Sequence, residues 1–140
     1  MIVVHADIEE WLCAWIRSRS PLLGVTPAWV SNVERPSEAG GPPKAGEVHV
    51  VIRDDSGPNR DLMMKDSTVG VTVIGHTRQA MKPTRDVANY LVALIEGEAP
   101  IVGSPIADVQ VVSGPYSVPS NNDEARLYAV LDVTLVGTQQ

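Results

Sequence analysis

Glu47-Val48-His49-Val50-Val51-Ile52-Arg53, followed after a polar stretch by Val69-Gly70-Val71-Thr72-Val73-Ile74, decides the fold. In the first run Val48, Val50 and Ile52 alternate with His49, Val51 and Arg53, the period of two that gives a strand one apolar face and one mixed face. The second run, with Val69, Val71, Val73 and Ile74, carries the strongest strand signal up to that point in the chain. Between them, Asp54-Asp55-Ser56-Gly57-Pro58-Asn59-Arg60-Asp61 reads as a turn by composition, and Leu62-Met63-Met64 leads toward the second strand. Two such strands with a long connection are expected to pair as an antiparallel hairpin.

Working upstream, Asp7 offers a side-chain oxygen to free backbone N–H groups and Glu10 stands three residues on, the spacing of a reciprocal capping box. Ile8, Trp11, Leu12, Trp15 and Ile16 then recur at helical spacing, Arg17 and Arg19 suit the negative end of the helix dipole, and Pro21 stops the helix. Residues 27–33 read as a short strand. Residues 34–46 contain Pro36, Gly40, Gly41, Pro42, Pro43 and Gly46, hold neither ladder nor helix, and read as a mobile loop or arm.

Downstream, a second helix is expected between residues 77 and 96. Pro83 marks its firm start, Val87, Leu91, Leu94 and Ile95 form its buried stripe, and Gly97 is placed to end it in a left-handed conformation. A strand around residues 108–112, a polar loop over 113–123 and a long final strand over 126–136 complete the order α-β-β-β-α-β-β. The expected fold class is α+β: one domain over residues 1–140, with a mixed, mostly antiparallel sheet of four or five strands and two main helices packed on it.

Composition narrows the function. The chain has 140 residues, 44% of them hydrophobic and 20% charged, which excludes a wholly disordered chain and a membrane-dominated one. Aromatic residues make up 4% with no Phe, so Trp11 and Trp15 supply bulk to a core built from Val, Leu, Ile and Ala. The formal charge of -6 disfavours a protein whose task is gripping nucleic acid phosphates. Cys13 is the single cysteine, so no intramolecular disulfide can form. The first residues lack the basic region of a signal peptide, and no apolar run approaches the ~20 residues that span a bilayer. Synthesis in the cytoplasm is the expectation.

Catalytic signals are missing from the sequence. His5, His49 and His76 have no histidine or cysteine partner at ligand spacing. Asp54, Asp55, Asp61 and Asp66 lack the spacing and glycine of a calcium loop. Gly40-Gly41-Pro42-Pro43 fails as a phosphate loop, because its prolines remove N–H donors. No catalytic, cofactor or metal residue is assigned. The unusual feature is the number of long polar loops on a small sheet domain. Such loops order against neighbours in an assembly, or they are simply tolerated surface.

The order of several strings resembles the tail terminator, or tail completion, proteins of long-tailed bacteriophages. These are Asp7-Ile8-Glu9-Glu10-Trp11-Leu12, Val48-His49-Val50-Val51-Ile52-Arg53-Asp54, Val71-Thr72-Val73-Ile74-Gly75 with the helix Arg85-Asp86-Val87-Ala88-Asn89-Tyr90-Leu91, Ser113-Gly114-Pro115-Tyr116-Ser117-Val118-Pro119, and residues 126–137. The resemblance implies a non-enzymatic virion protein without cofactors. It would form a homo-hexameric ring on the tail tube protein, end tube polymerisation and offer the surface for the head–tail connector, with DNA passing through and no specific binding to it. Neck and minor tail proteins of the same virion are the alternative; a small-molecule-binding or hydrolytic bacterial domain is a further one. In a ring the neighbour-facing patches are unlike, and mixed charges set their register. Arg53, Asp54, Asp55, Arg60, Asp61, Lys65 and Asp66, on and beside the hairpin connection, are the candidate oligomer interface.

Overall fold

In a computed structural model, which describes residues 1–120 and 122–140, the elements run β1 (Val3–Val4), α1 (Ile8–Arg19), β2 (Trp29–Ser31), β3 (Val48–Asp54), β4 (Met64–Gly75), α2 (Met81–Glu98), β5 (Ile106–Ser117), β6 (Ala125–Val136) and β7 (Thr138–Gln139). Five strands form one mixed sheet in the order β2-β3-β4-β6-β5, with β2 parallel to β3 and every other pairing antiparallel. β1 and β7 add a two-stranded antiparallel ribbon. The α+β class and the α-β-β-β-α-β-β order of the main elements are those expected; the ribbon is an addition.

The hairpin is the spine of the sheet. Val50 lies opposite Val73 and Ile52 opposite Val71, and Val71 lies in turn opposite Ala129 on β6, so the alternating apolar residues of three strands share one face. α1 places Ile8, Leu12 and Ile16 against β2 and β3, and α2 places Val87, Leu91 and Ile95 against β4, β5 and β6. Trp11 and Trp15 pack half-buried on this core, with ring centroids 6.0 Å apart and planes at 16°. The Arg19 guanidinium lies 5.1 Å from the Trp15 ring centre, a cation–π contact. Cys13 is buried, and burial pushes its thiol above the usual range.

Asp7 caps α1 by accepting from the Glu10 N–H at 3.1 Å, while the Glu10 side chain is exposed. The second helix departs from its expected ends. It begins at Met81 after a 3-10 turn over Arg78–Ala80, in which the Thr77 side chain accepts from the Gln79 N–H, and Pro83 sits in the first turn, where its missing donor costs nothing. It runs through Gly97 to Glu98. The Ala99 N–H still bonds to the Ile95 carbonyl, and Ala99 is buried, so packing carries the last turn past the glycine and Pro100 ends it.

Three further expectations are corrected. β4 begins at Met64, not near Val69, because the ladder to β6 pairs Lys65, Asp66, Ser67 and Thr68, whose polarity hid the alternation. β5 continues to Ser117, so most of the expected loop over 113–123 is strand; its register shifts between Val111 and Ser113 and again before Tyr116, and these irregularities absorb Gly114 and Pro115. Residues 34–46 are folded down rather than free: Arg35 Nε donates to the Gly41 carbonyl at 2.9 Å, the His76 Nδ1–H donates to the Pro43 carbonyl at 3.0 Å, and Gly41 and Pro43 are buried.

Gly75, where β4 meets α2, is a point of close approach. A Cβ there would overlap the Thr84 hydroxyl and stand 3.0 Å from Thr84 Cβ and 3.1 Å from Cγ2, so rotating the threonine gives no relief. Gly75→Ala is expected to lower stability by about 1–3 kcal/mol in urea unfolding. Thr84→Ala in the same chain should recover part of that loss, and an unchanged midpoint in the single variant would show that α2 shifts freely at this crossing.

Candidate interaction surfaces

The helices cover one face of the sheet, and residues alternating with the core point away from them. The register arranges these in rows across the strands. His49, Ile74 and Arg126 make the first row, where His49 and Ile74 lie buried. Val51, Thr72, Tyr128 and Tyr116 make the next. The two tyrosine rings meet edge to face with centroids 5.9 Å apart, and with Thr72, Val118 and Arg126 they line an open depression of about 360 Å³. Tyr128 lies across Gly70, where a Cβ would come 2.6 Å from its hydroxyl. Burial, helped by the Asp55 charge, raises the Tyr128 pKa, so this ring is neutral at physiological pH.

Strand direction sends the connections to two opposite ends. At one end the β1–β7 ribbon meets the hairpin connection: the His5 Nε2–H donates to the Met63 carbonyl at 3.1 Å, the Gly137 N–H donates to the same carbonyl at 2.7 Å, and the Gln140 N–H reaches the Ile2 carbonyl at 2.7 Å. Met1, Ile2, Val4, Leu62, Met63 and Val136 are exposed there. At the other end lie the arm 34–46, the 3-10 turn before α2 and the connection into β6, joined by Arg78–Asp123 at 3.5 Å and Arg126–Glu34 at 2.7 Å. One end gathers the termini, exposed apolar side chains and the charged hairpin connection; the other is tied together by ion pairs between the arm, the turn before α2 and the start of β6.

All seven candidate interface residues fall at the terminal end, but four are occupied in shaping the connection. Asp54 Oδ1 accepts from the Ser56 N–H at 2.7 Å, and Asp61 Oδ1 accepts from the Met63 and Met64 N–H groups at 2.9 and 2.8 Å. Arg60 pairs with Asp66 at 3.0 Å, and Asp66 also accepts from the Thr134 hydroxyl at 3.1 Å. Arg53, Asp55 and Lys65 make no side-chain hydrogen bond or ion pair among the described residues. Alternation along the strands places Arg53 on the open face and Lys65 on the helix-covered side.

A second constellation escaped sequence reading. Arg35, Glu47 and His49 cluster beneath the arm, beside Glu34, Arg126 and Glu124. The Glu34–Arg126 pair joins residues 92 apart in the chain, a separation that leaves no local signal. Among the described residues no group of three or more His, Cys, Asp or Glu is placed to hold a metal, and no Ser, Thr or Cys side chain is hydrogen-bonded to a histidine. Among the described residues no helix is long and apolar enough to cross a membrane. What the arrangement offers is contact surface: an open sheet face with paired tyrosines and two unlike ends. No protein-family model matches the chain, and no curated protein matches it.

Proposed function

We propose that the chain is a structural virion protein of a long-tailed phage, a tail terminator that closes into a hexameric ring on the tail tube, ends tube polymerisation and presents the surface joined by the head. The observation that supports this reading is the segregation of connections to two unlike ends of one sheet, the termini with exposed apolar side chains and the charged hairpin connection at one, the arm tied to the start of β6 by ion pairs at the other. A ring needs two different patches for its neighbours, and a terminator needs one side that docks on a tube and another that refuses the next tube subunit. Its partners are its own copies, the tube protein and the head–tail connector. DNA passes without specific binding, since an acidic ring repels phosphate. The protein is made in the host cytoplasm and resides in the virion.

Deleting the gene from the phage that carries it and measuring tails by electron microscopy tests the proposal. Overlong tails are expected. Tails of normal length that fail to join heads would move the protein to the neck, and normal infectious particles would end the reading. Arg53→Glu combined with Lys65→Glu addresses the interface: both cations are free of partners, so stability is expected to stay within about 0.5 kcal/mol. Binding to purified tail tubes is expected to weaken by about tenfold or more. Unaltered binding would remove these two residues from the contact.

A further inference from the structure

His49 is 1% exposed, and its Nε2 is a buried polar atom with no hydrogen-bond partner among the described residues. The arm covers it: Arg35, Pro42 and Pro43 line with His49 a cavity of about 240 Å³. The nearest carboxylate oxygen in the cluster, Glu47 Oε1, lies 3.7 Å from Nε2. That oxygen already accepts from Arg35 Nη2 at 2.9 Å and from the Lys44 N–H at 2.9 Å. Arg35 in turn holds the Gly41 carbonyl. One carboxylate oxygen is thus the buckle that ties the arm to the sheet, and an unpaired imidazole nitrogen is aimed at it.

The charged groups around the ring come from several elements. The arm supplies Glu34, Arg35 and Lys44, the start of β3 supplies Glu47, and β6 with its preceding connection supplies Arg126 and Glu124. The segment after β4 supplies His76, while β4 itself presents apolar Ile74. Arg126 is matched by Glu34 and Glu124, and Arg35 by Glu47. Three carboxylates thus face two guanidiniums, and each carboxylate is already bonded to one of them, so a charged His49 gains an ion-pair partner only in competition with an arginine.

We infer that residues 34–47 are a strap released by acid: a proton on His49 places a second cation beside Arg35 and a third donor on Glu47 Oε1, and the strap lifts so that the imidazolium reaches water. Burial, and then Arg35, hold the His49 pKa below its ordinary value, with Glu47 and Glu124 acting the other way. The Lys44 N–H and then Arg35 keep the Glu47 carboxyl below the ordinary carboxylate range, so the buckle stays charged while His49 titrates. The strapped state therefore keeps His49 neutral while the lifted state takes up a proton near pH 6.5, and the ratio of strapped to lifted falls by up to about tenfold per pH unit below that value. Lifting bares His49 and Ile74 and extends the open face beyond the tyrosine row.

Amide hydrogen exchange on the full chain between pH 7.5 and 5.0, corrected for the intrinsic pH dependence of exchange, tests this. The Lys44 amide donates to Glu47 Oε1 at the buckle itself, and the Glu47 amide returns to the Lys44 carbonyl. Their protection is expected to fall about tenfold or more across the range while amides of β4 and β6 hold, and His49→Gln, which cannot titrate, should keep the strap protected throughout. Equal loss in the core strands, loss that persists in His49→Gln, or no loss in the native chain overturns the inference. Should His49→Gln fail to fold, the imidazole resonances of the native chain decide: a His49 midpoint below 6.5 is expected, and one at or above it overturns the strap.

Discussion

Leu131→Ala is expected to lower the unfolding free energy by about 2–5 kcal/mol, among the largest losses any single truncation in this chain should produce. Leu131 has 0% exposure on β6, opposite Val69 of β4 and Val111 of β5, on the face covered by α2. The cost depends on whether neighbours can close the cavity. Here both flanking strands are held by ladders, and the β4–β6 ladder runs unbroken over the full length of both strands. The core has no Phe whose ring could swing into the space, and apart from Cys13 its buried members are Val, Leu, Ile and Ala. Val112→Ala on β5, 57% exposed, is the control and should stay within about 0.5 kcal/mol. The measurement is the urea midpoint at constant slope. A loss below about 1 kcal/mol for Leu131→Ala would mean that α2 settles into the gap and that the two layers are looser than their burial implies.

The same rows explain what sequence reading could reach. Val48, Val50 and Ile52 announced a strand because the helix-covered face of β3 takes only apolar residues, while the other face, equally buried at His49 and Val51, also admits a polar one. Where the ladder extends beyond the buried zone, the signal vanishes. Lys65 and Asp66 look like turn residues, yet β6 supplies pairing partners in Leu135 and Thr134. Ser113-Gly114-Pro115 has loop composition, and it is held in β5 because Gly114 adopts φ +83° against the backbone of Tyr128 and Ala129. The ribbon of β1 and β7 has two residues per strand and no local pattern; it exists because Met63 and Ile2 carbonyls are waiting for the Gly137 and Gln140 amides.

The candidate surface was legible in the same partial way. Mixed charge in the hairpin connection marks candidate contact residues, but not that Asp54, Arg60, Asp61 and Asp66 are spent on folding the connection itself. Short polar side chains in a turn satisfy backbone donors before they meet a partner, which leaves Arg53, Asp55 and Lys65 as the residues available for contact. The arm misled for the opposite reason. Its Pro and Gly content excludes regular structure, and exclusion of helix and strand was read as mobility, whereas Arg35 and His76 fasten it through its carbonyls.

Arg126→Leu is expected to cost about 3–5 kcal/mol, because it strips a buried carboxylate of its cation. Glu124 is 5% exposed and is held by Arg126 at 2.5 Å and by the Ser120 hydroxyl at 3.1 Å. Without Arg126 the remaining hydroxyl bond does not offset the desolvation of a charge. Hydrogen bonds to Glu34 and then to Glu124 hold the guanidinium pKa above its already high value, so the cation is present at every pH where the chain folds. Glu34 is bound by the same nitrogen, at 2.7 Å, but its side chain is 57% exposed, so Glu34→Gln should cost less than about 1 kcal/mol. Glu124→Gln added to Arg126→Leu removes the orphaned charge and should recover more than half of the loss, a non-additivity read from a double-mutant cycle in urea. Equal losses for Glu34→Gln and Arg126→Leu would place the stabilisation in the anchoring of the arm; unequal losses in the expected order place it in the burial of Glu124. Strap and sheet then separate energetically: the arm can lift while the buried pair keeps the end of β6 intact.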